Sequence, residues 1–419
     1  MSEIRESYQS PRWTSEISDC SFPVTLDTYS KCSFGCLYCF SVYQKDLHRA
    51  GCVQTTYEKP LECVNVESVK SLFKGLKEKS QFNEWVRTKR PIQWGGLADQ
   101  FDLNEKKHGK TLELMELFDE LDYPISFSTK STWVFHDERY LRLFRNQGKN
   151  WHIKFSIITL DEKKAAQVER GVPSPLERLE AMRIASECGC VTTLRLRPYI
   201  IGLSDYCLED LIARAAQAGA YSVSTEALCI ELRSVTREGV GRKNFNRLSE
   251  IVGFDLVDYY KRHSHGGGYL RLTPEEKSPI FNKIHNLCDR YGLKFFCSDA
   301  CGKGESFTGC CCGAPPEFGY SRGNFSAALQ IAKQKGFVRF TDIAVDMGHL
   351  SCVNWSRAEG YNIGNGSNRA KFSQFSLKDY LRYLWNTTER GQSPAKMFAD
   401  FIEPADLDES GDIVYRRKK

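Results

Sequence analysis

Three cysteines fall within eight residues near the start of the chain, as Cys32-Ser-Phe-Gly-Cys36-Leu-Tyr-Cys39. Three thiolates at this spacing can hold a 4Fe–4S cubane at three of its irons and leave the fourth free to chelate a cofactor or substrate. Gly35 precedes Cys36, where a missing side chain relieves crowding as a loop folds around a cluster. A structural zinc site and plain buried thiols are the competing readings, although zinc usually takes four ligands in paired short spacings.

A second group is denser still. Cys297, Cys301, Cys310, Cys311 and Cys312 put five thiols into sixteen residues, among Gly302, Gly304, Gly309 and Gly313. Such a bent, polar, cysteine-rich stretch usually has a metal reason. An auxiliary iron–sulfur cluster is the leading reading, with Cys297 and Cys301 as ligands joined by two of the last three. A closed four-thiolate zinc site is the alternative. Placed after the last strand, the segment is expected to close one side of an active-site mouth. Cys352 stands apart and could return as a ligand or a quenching thiol. Cys20, Cys52, Cys63, Cys188, Cys190, Cys207 and Cys229 are scattered and read as small hydrophobes.

The spacing C-x3-C-x2-C, with an aromatic residue on each side of the last cysteine, resembles the signature of the radical S-adenosylmethionine (SAM) superfamily. The resemblance implies a 4Fe–4S cluster on Cys32, Cys36 and Cys39 whose open iron binds SAM. It implies reductive cleavage of SAM to a 5′-deoxyadenosyl radical, which abstracts a substrate hydrogen. It also implies an electron donor such as flavodoxin or ferredoxin.

Within the superfamily the chain is most similar to the spore photoproduct lyase group, over roughly residues 24–230. The segments carrying this are Ser128-Thr129-Lys130-Ser131, Phe155-Ser156-Ile157-Ile158-Thr159, Gly171-Val-Pro-Ser-Pro-Leu-Glu-Arg178-Leu and Arg195-Leu-Arg197-Pro-Tyr-Ile-Ile-Gly202-Leu-Ser-Asp205. Gln93-Trp-Gly-Gly-Leu-Ala-Asp-Gln-Phe-Asp102 resembles the glycine motif beside the methionine end of SAM, so Gly95 and Gly96 are cofactor-binding candidates. By the same resemblance Lys130, Ser156 and Arg197 point at SAM. Arg197 offers a five-donor fork and Ser156 a donor-acceptor hydroxyl. Solvent-facing strand-end polarity is the plain alternative for each. Glu226 either accepts from adenosine or substrate, or forms a helix-facing salt bridge.

The lyase group repairs a thymine dimer in DNA. Here the extra cysteine segment departs from that plan, so the expectation is broader: an enzyme that repairs or modifies a nucleobase in nucleic acid. Radical modification of a peptide or small metabolite is the alternative. A non-catalytic iron–sulfur or zinc interaction protein is the reading from another class. Lys261, Arg262, His263, His265, Tyr269 and Arg271 form a basic, aromatic stretch able to hold phosphate and stack bases, or simply a charged surface.

The elements that must position these residues alternate. Strands are predicted at 22–29, 91–94, 125–128, 152–158, 191–200 and 221–225. Helices are predicted at 65–80, 111–121, 174–188 and 206–217. Ser174, Pro175 and Glu177 make a helix start with a serine cap and proline in the first turn. The alternation predicts an α/β protein, a partial (β/α)6 TIM-like barrel of radical SAM type with a C-terminal cysteine-rich extension. Its chemistry belongs at the strand ends. A helix at 274–291 and a strand at 293–296 follow. The expected organisation is an arm (1–20), the core (21–230), an insertion with the last barrel elements (231–296), the auxiliary metal segment (297–325) and a C-terminal region (326–419).

Composition agrees. A chain of 419 residues, 41% hydrophobic and 26% charged, can build a large core without disulfides, so 17 cysteines need another reason. The polar start MSEIRESYQS has no apolar signal core, and no run reaches the roughly 18 apolar residues that cross a bilayer. Reduced thiols in the cytoplasm, and no membrane partner, are the expectation. The net charge of +5 is too diffuse to imply nucleic acid by itself.

Overall fold

The computed structural model describes residues 4–14, 16–41, 60–355 and 374–418. Cys52 lies outside them. Eight strands form the main sheet: β1 Arg12–Trp13, β2 Val24–Leu26, β3 Ile92–Trp94, β4 Ile125–Thr129, β5 Trp151–Ser156, β6 Val191–Tyr199, β7 Ser222–Ala227 and β8 Lys294–Cys297. They lie in chain order, β2 to β8 all parallel, with β1 antiparallel at the edge. The six core strands and the seventh after them therefore stand where the sequence pattern puts them.

Parallel strands in chain order need a crossover at every step, and crossovers of one hand collect the helices on one face. Here Lys110–Glu120, Glu138–Gln147, Pro175–Glu187, Leu208–Gln217 and Pro274–Arg290 supply them. The helix at Pro175 starts with the full capping box: Ser174 Oγ accepts from Glu177 N–H and the Glu177 carboxylate accepts from Ser174 N–H. The helix predicted from residue 65 is shorter, Val66–Phe73, because Gly75 sits at φ +78 just beyond its cap. The sheet is partly open, since β1 and β8 do not pair among the described residues.

A parallel sheet covered on both faces usually has strands that are apolar throughout. These alternate. Phe127, Ile153, Phe155, Leu194, Leu196 and Val223 face the helices in one continuous core. The residues between them, such as Ser126, Lys154, Thr193, Arg195 and Ser222, face the other side. On that side segment 309–320 fills the interior. Gly313 O accepts from Ser222 Oγ at 2.8 Å, Cys311 O accepts from Ser224 Oγ at 2.7 Å, and Phe318 packs on His152 at 5.7 Å between ring centroids. The cysteine-rich run thus forms a floor inside the sheet, where the sequence suggested a flap at its mouth. Its carbonyls answer the polar strand residues, which no local pattern reveals.

The N-terminal segment completes this wall. Phe325 N–H donates to Ser18 O at 2.8 Å and Ser321 N–H to Ser21 O at 3.1 Å, tying it to the C-terminal helix Phe325–Lys335. Beyond lie three antiparallel strands, Phe337–Val338, Ile402–Leu407 and Ile413–Arg417. A second core joins the helical region Val240–Val252 and Leu256–Arg262 to Phe34, Leu37 and Tyr38 of the first cysteine loop. No helix among the described residues is long and apolar enough to cross a membrane.

His349 lies edge-on to Trp85 at 4.7 Å, and among the described residues neither ring nitrogen has a hydrogen-bond partner. Burial, reinforced by Arg90, lowers its pKa to about 4. The unfolded chain takes up a proton near about 6.5 that the folded chain refuses. Stability is therefore full above about pH 6.5, falls as pH drops, and levels off below about 4, a loss on the order of 3 kcal/mol. The His349→Phe variant should flatten that part of the acid profile in denaturant midpoints. An unchanged profile would assign the acid sensitivity elsewhere.

Candidate functional site

The carboxyl ends of the parallel strands carry the first cysteine loop, and three carboxylates, two buried and one half-buried, position it. Asp27, directly after β2, pairs with Arg12 at 2.5 Å and accepts from Leu97 N–H at 2.8 Å and Ala98 N–H at 3.2 Å. Asp99 accepts from Lys130 N–H at 2.6 Å and Thr129 Oγ1 at 2.9 Å. Asp102 accepts from Ser33 N–H at 2.5 Å and caps the next helix through Asn104 N–H at 2.9 Å. The loops after β2, β3 and β4 are clipped together in this way. Burial pushes the Asp102 carboxyl up to about 6.

Gly95 and Gly96 make the turn within this clip. Gly95 takes φ +86, and a Cβ there would lie 3.0 Å from the Gln100 amide nitrogen. A Cβ on Gly96 would meet Arg12 Nη2 at 2.8 Å. The positive φ thus requires glycine at Gly95, whereas at Gly96 a Cβ would displace the end of the Arg12 side chain that pairs with Asp27.

Cys32, Cys36 and Cys39 follow. Cys36 pairs in register with Glu169 in a short antiparallel bridge, Gly35–Cys36 against Glu169–Arg170. Glu169 is ion-paired to Arg178 at 2.8 Å, both side chains only 1% exposed, and it accepts from the Tyr38 hydroxyl. Arg178 Nη1 donates to Ser156 O at 2.5 Å, joining the cysteine loop to the end of β5. The Lys130 ammonium sits 5.8 Å over the Tyr38 ring. Burial alone would lower that ammonium, but the charges of Cys36, Glu169 and Asp99 outweigh it and the shift is upward. Burial pushes the Cys36 thiol up to about 12, opposed by Lys130 and by Arg178. At Cys32 burial again raises the thiol, while backbone N–H groups of Asp99 and Phe34 point at the sulfur.

Among the described residues no three His, Cys, Asp or Glu side chains are arranged in metal-ligand geometry. The fit to a cluster rests instead on the donor set. Three thiols share one loop with two cations and two amide donors aimed at sulfur, and such charges and hydrogen bonds stabilise and tune cluster thiolates.

Farther round the sheet, Arg197 Nε is ion-paired with Glu226, and Arg197 Nη1 donates to Ser298 Oγ at 2.9 Å. Glu226 thus takes its partner from the neighbouring strand and not from a helix. Ser156 lies on the same concave face, in register with Arg195. Lys154 Nζ donates to Gln93 and, at 2.8 Å, to Ser126 Oγ; burial pulls its pKa down to about 8.

The second cysteine group is divided by the structure. Cys297 points to the helix face and packs in the main core, where a Cβ on Gly302 would meet its sulfur at 2.4 Å. Cys301 packs against that same core. Cys310, Cys311 and Cys312 lie across the sheet on the concave side, with Cys20 beside them. The five thiols are not brought to one place. Cys352 is exposed. In the basic stretch, Arg262 pairs with Asp258 at 2.9 Å, His263 with Glu276 at 2.6 Å, and Arg271 stacks on Tyr269 at 5.4 Å, so much of its charge is met internally.

Sequence reasoning missed Asp27, Asp99, Asp102, Tyr38, Glu169 and Cys20. Asp99 and Asp102 had a signal, since they stand five and eight residues past the strand predicted at 91–94, whereas Asp27 fell inside the strand predicted at 22–29, which ends earlier, at Leu26.

No protein-family model matches the chain, and no curated protein matches it. Solved structures do. A spore photoproduct lyase complexed with dinucleoside spore photoproduct aligns with a TM-score of 0.50 and 16% identity, over 69% of this chain and 79% of its own. A single-residue variant of a spore photoproduct lyase gives 0.51 and 13%, over 70% and 81%. Another variant, with the dinucleoside, gives 0.51 and 14%, over 70% and 80%. At these identities the likeness is one of fold, a partly open radical-SAM-like barrel.

Removing one partner of the Glu169–Arg178 pair leaves a buried charge alone, which costs about 3–5 kcal/mol. Arg178→Met should lower the thermal midpoint markedly, and adding Glu169→Gln should recover most of the loss. Equal midpoints for the single and double variants would show that the pair does not hold the cysteine loop.

Proposed function

We propose that this chain is a radical SAM enzyme that cleaves SAM reductively and abstracts hydrogen from a substrate bearing a nucleobase. The observation that carries the reading is the C-x3-C-x2-C loop at the carboxyl end of the first parallel strand, on a sheet with the fold of spore photoproduct lyase. Cys32, Cys36 and Cys39 would hold the cluster. When bound, a 4Fe–4S cluster with an open iron supplies one electron to SAM and so a 5′-deoxyadenosyl radical for hydrogen abstraction.

The chain's own residues do the rest. Lys130 and Arg178 place positive charge beside Cys36 and favour its thiolate. Gly95 and Gly96 keep side chains out of the turn, leaving backbone carbonyls free to accept from an ammonium. Arg197, held by Glu226 and Ser298, presents remaining donors to a carboxylate or ribose oxygen. Ser156 offers a hydroxyl on the same face. The helical region packed on Phe34, Leu37 and Tyr38 covers the loop and limits water. The nucleobase assignment is supported by the dinucleoside bound to the similar lyase. A flavodoxin or ferredoxin would deliver the electron.

Anaerobically reconstituted protein, given reductant and SAM, should form 5′-deoxyadenosine, and a nucleic acid or nucleoside should raise the yield above that with peptides. Cys36→Ala should abolish the product while the circular dichroism spectrum stays that of folded protein, because the loop lies at the rim of a core built by other residues. Undiminished 5′-deoxyadenosine from C36A would sink the assignment, and stimulation by peptides alone would replace the substrate class.

A further inference from the structure

Two cations on the concave face have no counter-charge. Lys154 is the register partner of Thr193 and Ser156 that of Arg195, so Lys154 and Arg195 stand on adjacent strands one row apart. Lys154 is fully buried; its ammonium donates to Ser126 Oγ at 2.8 Å and to Gln93, and lies 5.7 Å over the Phe22 ring. Arg195 is half-buried, and among the described residues its guanidinium has neither a hydrogen bond nor an ion pair. Other inward cations are answered, Arg197 by Glu226 and Lys303 by Asp19. Among the described residues no carboxylate pairs with Lys154 or Arg195. Cations withdrawn from water cost several kcal/mol unless an anion is brought to them.

Depth selects what that anion can be. The floor segment lies directly on the Thr193 row, where a Cβ on Gly313 would meet Thr193 Cγ2 and Ser222 Oγ at 2.7 Å. One row nearer the carboxyl ends, Cys311 O accepts from Ser224 Oγ at 2.7 Å, and Ser224 is the register partner of Arg195. Arg197 and Glu226 stand above, at the rim. Arg195 has β5 and β7 on either side, so its exposed part faces the interior. A group reaching it comes down from the rim and stops at the floor. Such a dead end takes the terminus of a ligand and not the middle of a polymer. The Ser156 hydroxyl beside it, also without a hydrogen-bond partner among the described residues, is a second donor. SAM carries a sulfonium and an ammonium against one carboxylate, so it adds to the positive charge. Two unpaired cations match a dianion, and a guanidinium fork suits phosphate oxygens. A phosphate monoester carries about two negative charges at neutral pH, whereas an internal phosphodiester carries about one.

We infer that Arg195, with Lys154 beneath it, binds a phosphate monoester of the substrate, which makes that substrate a mononucleotide and not a nucleoside or an internal stretch of nucleic acid. The nucleotide part rests on the nucleobase reading above, while the anion site rests on the row of Arg195 and Ser156 over the floor.

The anion site is tested on the full chain without SAM or nucleotide. Phenylglyoxal, which modifies accessible guanidinium groups, should label Arg195, and inorganic phosphate or pyrophosphate should protect it, read by mass spectrometry. Arg142, 60% exposed on an outer helix, should label with or without phosphate. Labelling of Arg195 that ignores phosphate overturns the inference. Calorimetry on the anaerobically reconstituted protein with SAM then compares nucleoside 5′-monophosphates with nucleosides and with dinucleoside monophosphates, whose phosphate is a diester. The 5′-monophosphates should bind about 10- to 100-fold tighter, the worth of a hydrogen bond to a charged group. Arg195→Met should remove that advantage and Arg195→Lys should restore part of it, while 5′-deoxyadenosine formed without substrate stays at the level of the unaltered chain. Equal affinity for nucleoside and monophosphate, or tighter binding of the diester, overturns the inference. So does an Arg195→Met protein with weakened SAM binding, which would assign the residue to the cofactor. Protection by phosphate with no nucleotide bound would keep the anion site and remove the nucleobase reading alone.

Discussion

Charge on the concave face of the sheet is the constraint around which the other parts are arranged. Lys154, Arg195 and Arg197 stand on adjacent strands β5 and β6, facing inward, with Lys154 fully buried and the two arginines partly so. A sheet with an apolar inner face could have been filled by any hydrophobic insert. This one needs carbonyls, hydroxyls and anions at set heights. The floor segment answers with Gly313 O at the level of Ser222 and Cys311 O at the level of Ser224. The N-terminal segment answers with Asp19, which meets Lys303 and Ser326 beside the floor. Residues about 290 apart in the chain are thereby held together by polar demand as much as by burial.

The same economy of side chains governs the carboxyl strand ends. Asp27, Asp99 and Asp102 spend their oxygens on backbone N–H groups of neighbouring loops, so the loop geometry is set by several hydrogen bonds at each carboxylate. The pair Glu169–Arg178 then links the cysteine loop to β5 through Ser156 O. Rigid support of this kind is what a site for short-range chemistry requires, since small displacements there cost large factors in rate.

Much of the barrel was legible because its signals are local. Alternation along Trp151–Ser156 and Val191–Tyr199 marks strands, and Ser174-Pro175 with Glu177 marks a helix start; both depend on neighbours within a few residues. The first cysteine loop was legible for the same reason. The second group was not, because spacing along the chain says nothing about which face of a strand a residue occupies. Cys297 ends β8 on the helix side, and the chain must pass through Ala300–Lys303 before Cys310 enters the opposite side. Cys20, remote in sequence, is the thiol that belongs with Cys310–Cys312. Glu226 was left between two roles, and its partner Arg197 comes from the neighbouring strand, a pairing that spacing along the chain does not reveal.

The division of cysteines between the two ends of one sheet has a physical consequence. Thiols at the carboxyl end sit in a loop that other loops clip from outside, with Lys130 and Arg178 close by and backbone amides aimed at Cys32. Thiols on the floor sit between aromatic rings and the strand cations, with Arg197 lying within range of Cys311 and paired to Glu226 at the rim. Arg197 is held there by Glu226 and by Ser298, which follows β8, so three strands of the sheet meet at its guanidinium.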